Sequence, residues 1–190
     1  GCTFLSATGR KYLRGPRGTG FLYVNQKILP NIEPIMLDLK GAIWEQPEQY
    51  SIARDATRFE NWERSPALQL GIGRAATYAQ QVGMDRIWER IQHLGNQLRG
   101  KLRSVPGVHV MDRGKYQCGI VSIAIEGKDT ATVKAGLLEA NVNVSLIDPK
   151  STLIDSLNRQ LPSMIRASVH YYNTEDELDQ FIHHLKEQLT

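Results

Sequence analysis

The stretch TGRKYLRGPRGTGF, Thr8 to Phe21, packs four cations and four glycines into fourteen positions. Short apolar runs rich in β-formers, Cys2 to Ala7 and Phe21 to Val24, flank it, so the simplest arrangement is two strands joined by a loop held at both ends. Glycines at 9, 15, 18 and 20 would let backbone N–H groups approach a ligand, and Arg10, Lys11, Arg14 and Arg17 supply charge-assisted donors. Together they describe an anion site with phosphate as the obvious guest; a solvated basic turn is the plain alternative. A nucleotide P-loop needs GxxxxGK followed by Ser or Thr, and a dinucleotide fingerprint needs its glycines at a strand-to-helix turn. Neither pattern is present.

The remaining chain alternates between readable and irregular segments. Gln26 to Tyr50 holds Pro30, Pro34 and Pro47 and no sustained period, which predicts irregular surface structure with a short strand at Ile35 to Leu37. Ser65 as N-cap and Pro66 at the first helical position open a helix that ends at Gly83, and its small residues Gly71, Gly73, Ala75, Ala76 and Ala79 predict close packing by neighbours. Ile87, Ile91, Leu94, Leu98, Leu102 and Val105 recur every three or four positions and predict a long amphipathic helix, read as an arm between two domains. Strands then follow at Val108 to Met111, Gly119 to Ile125, Val142 to Leu146 and Met164 to Val169, with a helix at Thr130 to Ala140. Thr174 and Glu177 form a capping box before a last helix whose stripe is Leu178, Phe181, Ile182, Leu185 and Leu189. From about Asp85 this reads as a compact α/β module.

Composition bounds the function classes. The 190 residues are 41% hydrophobic and 23% charged, as in soluble globular proteins. The net charge of +3 is too small to predict nucleic-acid binding, and no apolar run reaches the ~18 residues of a membrane span. Cys2 and Cys118 have no metal-site or disulfide spacing, which points to a reducing cytoplasm, and Cys118, inside an apolar run, reads as a buried, inert thiol. His183 and His184, adjacent on a helix, point in different directions, so no metal site is expected. Trp44, Trp62 and Trp88 read as packing residues. The opening GCTFLS lacks an initiator methionine and already reads as a strand, so a fragment of a longer chain is expected.

FLSATGRKYLRGPRGTGFLYV (Phe4 to Val24), followed far downstream by IRASVHYYNTEDEL (Ile165 to Leu178), resembles the class V aminotransferase family of pyridoxal-phosphate enzymes, which includes cysteine desulfurases and isopenicillin N epimerase-like proteins. The resemblance runs along the whole chain but covers only the C-terminal part of a family member. It implies an α/β fold: residues 1–84 as the end of the large cofactor-binding domain, residues 85–190 as the small C-terminal α/β domain. It implies pyridoxal 5′-phosphate as cofactor, a small amino acid as substrate, a homodimer, and a missing N-terminal part of the large domain.

By the same resemblance Lys11 forms the Schiff base with the cofactor aldehyde, Thr8 and Arg10 contact its phosphate, and Arg166 binds the substrate carboxylate. Physical chemistry is compatible with both ends: neighbouring cations favour a neutral lysine, and a planar guanidinium matches a carboxylate. Arg166 stands among Met164, Ile165, Ala167 and Val169, where an unpaired arginine would be costly; an internal salt bridge is the other reading.

The chain also departs from the family pattern. Asn143 to Met164 contains no cysteine, so the persulfide chemistry of a desulfurase is not expected. RFENWERSP (Arg58 to Pro66) places Trp62 and Glu63 where the family often has Gly-Thr at the partner subunit's phosphate. The family's ring-stacking residue, pyridine-nitrogen acid and main phosphate turn precede the region matched here. Residues 1–190 alone are therefore expected to bind cofactor weakly and turn over little; the alternative is a non-catalytic truncated or split-gene module that binds or dimerises.

Overall fold

The apolar runs flanking the basic loop pair with each other. In the computed structural model, which describes all 190 residues, β1 (Phe4–Thr8) and β2 (Gly20–Val24) form an antiparallel ribbon from Phe4↔Val24 to Thr8↔Gly20. The chain divides into two units, Gly1–Val82 and Gly83–Thr190.

In the first unit, Ile35 to Leu37 is not a strand; Ile35 and Met36 are fully or largely exposed. A second antiparallel hairpin, β3 (Ala42–Gln46) and β4 (Gln49–Ile52), occupies what read as irregular sequence. Pro47 does not break a strand there; it makes the two-residue turn with Glu48, a position that suits its fixed φ. Arg58 is the unit's buried cation. Its Nε donates to Ala53 O at 2.8 Å and its Nη1 to Ile32 O at 2.7 Å and to Leu29 O, tying three backbone segments together. Helix α1 (Pro66–Val82) begins as its cap predicts, with Leu68 N donating to Ser65 Oγ at 3.4 Å, and stops at Gly83, whose φ of 97° suits glycine.

In the second unit, a four-stranded antiparallel sheet has the order β5 (Val108–Val110), β6 (Ile120–Ile125), β8 (Met164–Ser168), β7 (Ser145–Ile147). One face carries α2 (Met84–Arg103), α3 (Thr130–Glu139) and α5 (Glu175–Leu189), and the core is made of Leu94, Leu98, Leu102, Val121, Ile123, Val133, Leu137, Ile165 and Leu185, all nearly inaccessible. The apolar stripe of α2 is therefore spent inside this unit, which corrects its reading as an arm: Leu94 and Leu102 have no exposed surface. Burying side chains of this size stabilises by about 1.5–3 kcal/mol each. Asp129 caps α3 by accepting from Thr132 N at 3.0 Å, and the Thr174–Glu177 capping box on α5 is formed as expected. A short helix, α4 (Leu153–Arg159), stands between β7 and β8; its seven residues are too few to carry a readable period.

Arg99 is 2% exposed and anchors the β5–β6 connection to α2: Nε donates to Asp112 Oδ2 at 2.8 Å, and Nη2 to Cys118 O at 2.7 Å and Ile120 O at 2.8 Å. Cys118 itself is exposed, correcting its reading as a buried thiol, because β6 begins only at Ile120 and the thiol precedes the strand's alternation. The three tryptophans are also about half exposed or more (Trp44 75%, Trp62 56%, Trp88 49%), so packing within this chain does not account for them.

Candidate functional site

The basic loop is shaped by α1. A Cβ on Gly9 would stand 2.7 Å from Ile72 Cδ1, and one on Gly15 would stand 3.1 Å from Gly9 O, so a side chain at either position would push its neighbours aside. Their amides are consumed inside the loop: Gly9 N donates to Thr19 O at 2.8 Å and Gly15 N to Gly9 O at 2.7 Å. This corrects the expectation that these two glycines offer N–H groups to a ligand; they allow tight folding instead. Arg14 sits in the left-handed region (φ 57°), held by its N–H to Lys11 O at 2.8 Å, with its guanidinium 5.2 Å from the centre of the Tyr78 ring.

What the loop presents outward is side chains. Thr8 ends β1, its hydroxyl 3.4 Å from Thr19 O. Arg10 and Lys11 follow in the turn, both exposed and neither in an ion pair. Thr8, Arg10 and Lys11 are thus gathered by one turn in the first unit; Arg166 belongs to the second.

Arg166 lies on β8, where alternation sends Ile165 and Ala167 into the core and Arg166 to the opposite, open face. Its backbone partners are Ser122 on β6 and Ser145 on β7, and its Nη2 donates to Ser145 Oγ at 3.3 Å. The apolar run around Arg166 therefore does not bury it, and no internal salt bridge forms, so one branch of the sequence argument falls away. Ser145 is a neighbour that sequence reasoning missed, since only strand register brings it there. Next along this face, Met164, Ala124 and Leu161 form a small buried cluster.

Beyond β8 the chain turns through a strand-to-helix corner as expected. His170 is buried with its ring stacked on Tyr172 at 4.3 Å, and its backbone N–H donates to Asn173 Oδ1 at 2.8 Å. Arg90 of α2 fastens the corner by donating to Asn173 O at 2.8 Å and to both oxygens of Glu175 at 2.5 and 2.9 Å. The Arg90 hydrogen bond, helped by a backbone N–H at the helix start, lowers the Glu175 carboxyl to about 2. In the first unit Asp38 accepts from Trp62 N and Leu39 N, both at 2.7 Å, and these bonds lower its pKa. Asp38 thereby fixes the segment that departs from the family pattern.

Comparison with known proteins gives the family and the fold. The aminotransferase class-V family profile matches residues 1–181, and the chain belongs to that family. It is 27% identical over 183 residues to a probable cysteine desulfurase of Methanothermobacter thermautotrophicus, an alignment covering 94% of this chain and 45% of the relative. The fold is similar to the apo cysteine desulfurase of Thermococcus onnurineus NA1 (TM-score 0.82, 24% identity, covering 97% of this chain and 46% of that one). It is also similar to a variant of the cystine C–S lyase C-DES with glycine covalently linked to its PLP cofactor (TM-score 0.78, 23% identity, covering 95% and 44%). The chain spans about 45% of the length of these relatives. No helix is long and apolar enough to cross a membrane.

Proposed function

We propose that this chain supplies the cofactor lysine and the substrate-carboxylate arginine of a pyridoxal-phosphate-dependent class V enzyme acting on a small amino acid. The observation that carries the reading is the end of β1 and the turn after it, which present one primary amine, Lys11, near the Thr8 hydroxyl and the Arg10 guanidinium, all solvent-accessible and backed by a loop closed by its own backbone hydrogen bonds. That donor set fits an aldehyde bearing a phosphate. When bound, the cofactor supplies a carbonyl that condenses with amines and a ring that delocalises electrons left at a substrate carbon.

The residues then divide the work. Thr8 and Arg10 hold the phosphate as hydrogen-bond donors, and Arg10 adds permanent charge. Lys11 anchors the cofactor and afterwards holds and returns the proton at the substrate α-carbon. Arg166 takes the substrate carboxylate in a bidentate grip, steadied by Ser145. Asn143 to Met164 contains no cysteine, so this segment supplies no thiol to take up sulfur as a persulfide. In this reading residues 1–84 and 85–190 are the end of the large domain and the small domain, the enzyme is a cytoplasmic homodimer, and a preceding large-domain segment completes the site.

A second reading, a non-catalytic binding or dimerisation module, draws on one observation: Phe4, Leu5, Phe21, Leu22 and Tyr23 leave both faces of the β1–β2 ribbon about half exposed. Titration of the chain with pyridoxal 5′-phosphate, alone and with an N-terminal large-domain segment, separates the two. Growth of a visible absorbance band that Lys11→Ala removes and Lys27→Ala retains supports the enzyme. No band in either mixture, or one indifferent to Lys11, supports the module.

A further inference from the structure

The two adjacent histidines of α5 do not face each other, but they share a third residue. Glu187 follows His184 by three positions and His183 by four, the two spacings at which helical side chains meet. His184 Nδ1 stands 2.8 Å from Glu187 Oε2, and His183 Nε2 stands 3.3 Å from Oε1. One ligand atom from each of the three residues lies within 4.8 Å of the others. We propose that His183, His184 and Glu187 form a site for a divalent transition ion of the Ni²⁺, Cu²⁺ or Zn²⁺ type.

Donor chemistry selects the metal class. Two imidazoles and one carboxylate suit these borderline ions, whereas Mg²⁺ and Ca²⁺ favour all-oxygen sets. With metal–ligand bonds of about 2.1 Å, ligand atoms on one ion stand about 3.4 Å apart; the His183–Glu187 distance of 3.3 Å already matches, while the 2.8 Å His184–Glu187 hydrogen bond opens and the histidines rotate to close the set. Their rings are 5.2 Å apart and inclined at 59°; the His183 side chain is 69% exposed and turns freely, while that of His184 is 30% exposed. Asp179, one turn before His183, is engaged by Lys101 and is not a donor here. Three protein ligands on an open helix face leave the remaining coordination positions to water or an added ligand.

The structure contains its own controls. His109 pairs with Glu126 at 2.6 Å, and His93 lies 3.3 Å from Glu175, whose carboxylate is already held by Arg90; neither pair belongs to a three-residue cluster. The test is calorimetric titration of the tag-free 190-residue chain with Ni²⁺, its thiols blocked, together with Cu²⁺ paramagnetic resonance. One Ni²⁺ per chain is expected, weakened roughly tenfold or more by His184→Ala and by Glu187→Ala and unchanged by His109→Ala, with circular dichroism verifying that each variant keeps its helices. The Cu²⁺ spectrum should show two nitrogen ligands, falling to one in His183→Ala. Absence of binding, a Glu187→Ala or His184→Ala isotherm equal to that of the parent, or loss in His109→Ala overturns the assignment.

Discussion

A Cβ placed on Gly71 would stand 2.6 Å from Pro16 Cγ: the ring of Pro16 lies directly on α1 at a position that admits no side chain. Two residues on, Gly73 has nothing within 4 Å. Gly73→Ala is therefore expected to stabilise the chain by about 0.5–1 kcal/mol through helix propensity. Gly71→Ala should lose that gain and loosen the basic loop, because a proline ring cannot swing aside. Urea denaturation reads the first effect, and the rate of proteolytic cleavage between Arg10 and Arg17 reads the second.

Arg99 is the buried cation of the second unit; it pairs with the nearly buried carboxylate of Asp112 and donates to Cys118 O and Ile120 O. Arg99→Ala strands a carboxylate and two carbonyls and should cost on the order of 3 kcal/mol. Arg99→Lys should recover little, since one ammonium cannot span the fork. Equilibrium unfolding of the two variants decides this; a loss below about 0.5 kcal/mol in Arg99→Ala contradicts it.

Arg58 makes the same kind of tie in the first unit, to three carbonyls and no acid. Arg58→Met is expected to increase amide exchange across residues 29–59 while leaving the sheet of the second unit protected. Uniform protection in the variant would show that the tie is dispensable.

The Glu175 carboxyl, held at about 2 against an ordinary 4.5, gives stability a pH dependence of definite sign. Its folded-state value is the lower one, so its contribution is complete above 4.5 and is lost as pH falls from 4.5 towards 2. Arg90→Met, which removes the chief cause, should flatten this part of the acid limb and leave stability above it less sensitive to pH. Parallel acid limbs for the two proteins would exclude Glu175 as the source.

Where local signals agree, the sequence was sufficient. Ser65 and Pro66 opened α1, Gly83 closed it, and Thr174 with Glu177 opened α5, because caps depend on a few adjacent residues. The β3–β4 hairpin escaped because Pro47 read as a breaker when its neighbours made it a turn, and α4 because seven residues carry too little period. At the candidate site, the nearness of Thr8, Arg10 and Lys11 was legible because they fall within four successive positions at the end of β1 and the start of the loop. The exposure of Arg166, its serine neighbour and the internal use of the Gly9 and Gly15 amides were not, since strand register and the close approach of α1 decide them.

The central claim is that Lys11 is the amine that carries the cofactor. Incubation with pyridoxal 5′-phosphate and an N-terminal large-domain segment, reduction with borohydride and peptide mass mapping test it most directly. A stable cofactor adduct is expected on the peptide containing Lys11, formed faster there than at the other lysines and slowed by Arg10→Ala. Labelling spread evenly over surface lysines, with Lys11 no more reactive than Lys27 or Lys115, would contradict it.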